Sequence, residues 1–173
     1  MLYFDARLSA GQPTVEVRIC DVCTDPAVSI ALAVLVRALV ETAARDWRDG
    51  RPVPRWRAEA LRVAQWRASR YAMSDSLVDP VLRELRPARE VLAGLIETVG
   101  PALSDAGDAD RAAALLEHVV SDNGATRQRA AFERGGGVEA VVDDLIERTE
   151  QSWDPGDPAH DTVQREGLGS AHG

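Results

Sequence analysis

Glu16 and Arg18 stand two apart in the segment Thr14-Val15-Glu16-Val17-Arg18-Ile19-Cys20-Asp21. Val15, Val17 and Ile19 alternate with Glu16, Arg18 and Cys20, which is the period of a strand, so the charged pair projects from one face and the apolar set from the other. A carboxylate in that position can hold a divalent cation, and the guanidinium beside it can meet phosphate oxygens that the cation bridges. Phosphoryl transfer depends on this pairing of metal and positive donors more than on a base. An exposed cross-strand ion pair uses the same two residue types without any chemistry, and it is the commoner reason for Glu-x-Arg on a strand.

Other arginines extend the set. Arg67 and Arg70 are three apart on a segment with helical spacing, so both can point at one ligand, or one can stack on Trp66 or Tyr71 while the other meets water. Arg127 and Arg129 follow Asn123-Gly124 near a helix start, where free backbone amides also favour an anion; an exposed short helix is the plainer reading. Arg45 to Arg70 hold eight arginines, and planar guanidinium groups bind carboxylate and phosphate bidentately, although most of such a stretch is a solvated helix face. His118, beside Val119 and Val120, reads as a surface or core-edge histidine. No side chain reads as a nucleophile.

The formal charge of -8 and pI near 4.9 exclude general affinity for nucleic acid, which needs a surplus of cationic side chains. Cys20 and Cys23 are the two cysteines, and the three histidines lie far from them in sequence, so zinc is not expected. A cysteine-poor chain of this kind reads as cytoplasmic, with both thiols reduced and partly buried. The most apolar run, Pro26 to Val40, contains Arg37 and is shorter than the roughly 20 residues of a membrane span, so a buried helix and no membrane partner are expected.

The elements that must position these residues follow from periodicity and punctuation. Leu2–Leu8 and Thr14–Ile19 read as strands joined by the turn former Ser9-Ala10-Gly11-Gln12-Pro13. Thr24 or Asp25 can cap a helix from Pro26 to about Arg48, apolar on nearly all sides and so suited to burial between layers of something larger. Further helices are expected from about Pro54 to Tyr71, from Pro87 to a stop at Gly100-Pro101, from Asp108 to Ser121, from Ala125 to Arg134, and from Val138 through Ile146. A polar turn around Ser74, Asp75 and Pro80 separates the second and third. Residues 1–151 are expected to form one folded region, and Ser152–Gly173, rich in turn formers and charge, a structureless tail. A lone two-stranded hairpin is marginal and asks for neighbouring strands, which favours a chain that is part of a larger fold or has a partner subunit.

Three ordered blocks carry a resemblance. Tyr3-Phe4-Asp5-Ala6-Arg7 with Pro13 to Asp21, then Gln65-Trp66-Arg67-Ala68-Ser69-Arg70-Tyr71-Ala72, then Asn123-Gly124-Ala125-Thr126-Arg127-Gln128-Arg129 resemble the glutamate-cysteine ligase type 2 family, the carboxylate-amine ligases. The matches span about Tyr3 to Ile146. Leu8 stands where the family usually has proline and Ala72 where it has glycine; neither change removes a charge. The resemblance implies an α+β fold in which the hairpin is part of an antiparallel sheet similar to that of glutamine synthetase, followed by a mostly helical C-terminal region. It implies ATP and Mg as cofactors, and glutamate with cysteine or another amine as substrates. By the same analogy Glu16 holds metal and Arg18 serves the reaction by steadying transferred phosphate, while Arg7, Arg67, Arg70, Arg127 and Arg129 contact substrate carboxylate or phosphate. The expected partner is an upstream half or a second copy. The alternative expectation is a noncatalytic or regulatory module derived from the ligase fold.

Overall fold

Ser9 to Thr14 turn the chain back on itself, with Gly11 at φ +74°, a conformation that glycine adopts without the penalty of a side chain. The computed structural model of the protein, which describes residues 5–151, places strand β1 at Ala6–Leu8 and strand β2 at Val15–Val17, antiparallel, with Arg7 opposite Glu16. Both strands are shorter than their apolar patterns suggest. The tail expected over Ser152–Gly173 lies outside the described residues.

Asp25 starts helix α1, Pro26–Arg48: its Oδ1 accepts from the amide of Ala27 at 2.8 Å, satisfying a donor that the first turn leaves free. The expected helix from Pro54 begins later. Helix α2 covers Ala58–Tyr71, and Arg57 before it is extended at φ -72° and ψ 142°. A short turn of 3-10 helix, Ala72–Ser74, leads into a hairpin that the periodicity does not announce, strands β3 (Ser76–Val78) and β4 (Leu85–Pro87). Three residues a side are too few to show a period of two, and Pro87, expected to open a helix, ends β4 and precedes helix α3 at once.

Helix α3, Ala88–Asp105, runs straight through the expected stop at Gly100-Pro101. Proline removes one backbone donor and crowds the carbonyl a turn earlier, a cost of about 3 kcal/mol in a helix interior. Burial on both sides of it outweighs that cost: Val99 and Leu103 are the two largest wholly buried side chains. Around them Val34, Ala38, Ala102 and Ala112 form a core between α1, α3 and helix α4, Ala109–Ser121, with Ile30, Leu95 and Ile96 packed against it. Arg89 binds Glu117 through both carboxylate oxygens, joining α3 to α4.

Asn123 caps helix α5, Gly124–Gly135, by accepting from the Thr126 amide, and helix α6 follows at Val138–Gln151. Gly135 is required here: a Cβ would sit 2.1 Å from that of Ala140 in α6. The chain divides into two compact units, one of the described residues up to Arg18 with Ile30–Ser121, the other of Ile19–Ser29 with the described residues from Asp122 onward. Two small antiparallel sheets followed by helices make the fold α+β, as expected.

Helix α1 departs from its expectation in two ways. At 23 residues it is long and apolar enough to cross a membrane by length and composition, which the count ending at Val40 missed. Only Ala31, Val34 and Ala38 along it are buried within the described residues, while Leu39 and Val40 are exposed. The core covers one of its faces, and Arg37 on another pairs with Asp108.

Candidate functional site

In the first hairpin, the register that sets Arg7 opposite Glu16 brings Nε within 2.7 Å of Oε2. That hydrogen bond is the main reason the Glu16 carboxyl titrates below its ordinary 4.5; desolvation opposes it, and the charges of Arg7 and Arg18 and a contact from Ser9 lower it further. Arg18 is exposed, and its backbone amide donates to Asp5 O at 2.8 Å. The strand pair therefore presents one carboxylate between two guanidinium groups. A divalent cation takes about six oxygens, and among the described residues no group of three or more His, Cys, Asp or Glu side chains is placed to hold one. Glu16 offers one ligand and is already engaged by Arg7, so these residues by themselves do not make a Mg site.

The second block lies on α2. Arg67 donates Nε to Ser76 O at 2.6 Å and Nη2 to Asp75 Oδ2 at 2.9 Å, and its guanidinium carbon lies 4.9 Å from the centre of the Tyr71 ring. Arg70 approaches the same ring at 5.9 Å, and Trp66 meets Tyr71 edge-on with centroids 6.0 Å apart. Arg67 thus ties α2 to the start of β3, whereas Arg70 has only a ring contact and faces water. Spacing brings both to Tyr71, as helical geometry requires; it does not leave both free.

The third block belongs to the other unit. Arg127 is buried, with its side chain 5% exposed: Nη2 donates to Asp25 Oδ2 at 2.8 Å and to Asp122 O at 2.7 Å. Nε lies 3.0 Å from Asp122 Oδ2, an ion-pair contact without hydrogen-bond alignment. One Asp25 oxygen therefore caps α1 and the other holds Arg127. Arg129, two residues on, is exposed. No hydrogen bond or ion pair among the described residues joins the Arg7, Glu16 and Arg18 set to Arg67 or Arg70. Cys20 is exposed and Cys23 half-buried, both free thiols, so the expected partial burial holds only for Cys23.

A cleft of about 840 Å³ opens along α2, walled by residues 55–57 on one side and the β3-β4 hairpin on the other. Arg67 forms one edge. Sequence reasoning missed the others: Trp56 in the extended run before α2, and Arg83 in the hairpin turn, whose guanidinium lies 5.5 Å from the Trp56 ring and donates to Arg55 O at 2.9 Å. Asp79 shapes that turn by accepting from the amides of Val81 and Leu82, both at 2.8 Å. The Asp79-Pro80 pair signals a turn in the sequence; that the turn joins two strands shows only once they pair.

Comparison with known proteins bears on what these blocks belong to. The model of the glutamate-cysteine ligase family 2 matches residues 1–157. A relative from Nocardioides sp. assigned as glutamate–cysteine ligase 2-1 is 67% identical over 153 residues, covering 88% of this chain and 40% of its own length. One from Frankia alni, assigned as glutamate–cysteine ligase 2-2, is 51% identical over 86% of this chain and 39% of its own length. One from Streptomyces avermitilis, assigned as glutamate–cysteine ligase 2-1, is 46% identical over 87% and 42%. The chain thus spans about two-fifths of the length of the curated relatives it matches. No solved structure matches it. The chain belongs to the glutamate-cysteine ligase family 2.

Proposed function

We propose that this chain is one part of the catalytic body of an ATP-dependent carboxylate-amine ligase, which activates the γ-carboxylate of glutamate as an acyl phosphate and joins it to an amine such as that of cysteine. The family match over residues 1–157 carries this reading, with Glu16 on β2 and Arg18 just past the strand's end as its chemical core. In the whole protein Glu16 would supply one oxygen to Mg in exchange for its bond from Arg7, and the other ligands would come from elsewhere. Arg18, Arg70 and Arg129 make no ion pair among the described residues, so they are free to meet phosphate or carboxylate, and planar guanidinium groups suit both. Arg7, Arg67 and Arg127 already hold Glu16, Asp75 and Asp25; we assign each of them to holding its own surroundings in place, with substrate contact requiring it to exchange that partner. The chain alone is not expected to turn over.

One observation favours a second reading, a noncatalytic module derived from the same fold: four of the seven charged residues singled out, Arg7, Glu16, Arg67 and Arg127, are satisfied internally. Thermal unfolding separates the two. A ligand that binds only the folded state raises its stability with concentration. On the ligase reading ATP with Mg raises the melting temperature of the chain assembled with the remaining part of a family member, and Glu16→Gln removes the metal-dependent part. No response to ATP or Mg, together with stable association with an intact relative, would support the module.

A further inference from the structure

Apart from Arg67, the cleft along α2 is lined by residues that the ligase reading does not use, and the inference drawn from it stands whether or not that reading holds. We propose that it is a binding site for a carboxylate carried on a flat, apolar body, such as an aryl carboxylate. Its volume, about 840 Å³, falls within the roughly 300–1,000 Å³ of small-molecule sites. The floor is apolar: Val63 and Trp66 from α2 face Val78 and Leu85 of the second hairpin. Trp66 and Leu85 are 59% and 55% exposed, so water now covers surface that a flat ligand would dry.

The rim supplies the charge preference. Arg55, Arg57, Arg67 and Arg83 border it against two carboxylates, Glu59 and Glu84, and among the described residues neither Arg55 nor Arg57 has an ion pair or side-chain hydrogen bond. A carboxylate between two unpaired guanidinium groups gains charge-assisted hydrogen bonds that a neutral amide of equal shape does not. The walls are braced in advance, because Arg83 stacks on Trp56 and holds the Arg55 carbonyl while Arg67 holds Ser76. A ligand would therefore meet a formed cleft and would not have to order it.

The test uses the full chain with 2-naphthoate, its neutral isostere 2-naphthamide, and acetate, titrated calorimetrically. The expected result is saturable 2-naphthoate binding, at least about tenfold weaker 2-naphthamide binding, and no competition from acetate at equal concentration. The double substitution Arg55→Gln and Arg57→Gln should weaken 2-naphthoate about tenfold and leave 2-naphthamide unchanged, and both residues are exposed with no partners to lose. Trp66→Leu should weaken both naphthyl ligands, provided its unfolding transition matches that of the unaltered chain. Equal affinity for acid and amide, equal competition by acetate, or binding untouched by the double substitution would each overturn the proposal.

Discussion

Two hairpins in this chain have the same size and different fates. Each has strands of three residues paired antiparallel. The β1-β2 hairpin carries the charged pair on which the proposed chemistry rests, and its strands are exposed or half-buried throughout. The β3-β4 hairpin lies against α2 and α3, and is pinned by Arg67 to Ser76, by Arg83 to Arg55, and by the Asp79 turn. An isolated two-stranded hairpin is marginal in water, whereas packing on a helix makes one stable. The difference teaches where this chain is complete within itself: the cleft hairpin is held by its own neighbours, and the hairpin bearing Glu16 and Arg18 is not.

The sharpest way to break the comparison is to remove the turn that shapes the second hairpin. Asp79→Ala takes away acceptors for two backbone amides, and should lower the melting temperature by several degrees, more than any single change in the first hairpin. The Asp79 carboxyl is held below its ordinary 3.8 mainly by the amides of Leu82 and Val81. Its contribution is therefore complete above the unfolded value and is lost as pH falls through the lower folded value, so acid should loosen this turn only below about 3.8. Equal melting of Asp79→Ala and the unaltered protein at neutral pH would remove the distinction between the hairpins.

Arg67→Gln comes next in size. It removes the tie from α2 to Asp75 and Ser76, and should cost about 2 kcal/mol in urea unfolding, the scale of a lost hydrogen bond to a charged group. A loss of binding to ATP or glutamate with no loss of stability would instead make Arg67 a substrate contact and not a positioning residue.

How much of this was legible in the sequence depends on which physical signal carried it. Helices α1, α4, α5 and α6 begin and end close to where caps and apolar spacing put them, because Asp25 and Asn123 act locally. The continuation of α3 past Pro101 was not legible: Val99 and Leu103 outweigh proline only when Val34 and Ala112 are brought beside them by the fold. The cleft was hidden for the same reason, since Trp56 and Arg83 lie 27 positions apart and meet through a hairpin whose strands are too short to show alternation. For the candidate site, the strand at Glu16 and the helical spacing of Arg67 and Arg70 were legible; the end of β2 before Arg18 was not, nor were the partners, because cross-strand register chooses Arg7 for Glu16 and packing chooses Asp75 for Arg67 and Asp25 for Arg127.

The smallest expected effect lies in the first hairpin. Glu16 should titrate below 4.5 when followed by the carboxyl resonance of a labelled side chain, and Arg7→Gln should move it back towards 4.5, with Arg18 and Ser9 retaining part of the shift. The sign follows from linkage: the pair stabilises the hairpin above the unfolded value and is lost as pH falls through the folded one. Because the pair is solvent-exposed, unfolding of the whole chain should barely respond. A substantial drop in melting temperature for Arg7→Gln would mean that this hairpin is as firmly held as the other.

The most direct measurement asks whether the charged hairpin becomes catalytic when the rest of a family member surrounds it. The purified chain would be assayed for phosphate release and for the glutamyl amide product with ATP, Mg, glutamate and cysteine, alone and mixed with the part of the Nocardioides relative that lies outside the matched region. The account predicts no turnover by the chain alone, measurable ligation by the mixture, and loss of that ligation in Glu16→Gln and Arg18→Lys at unchanged assembly. Robust turnover by the chain alone, or full activity of the mixture with Glu16→Gln, would contradict it.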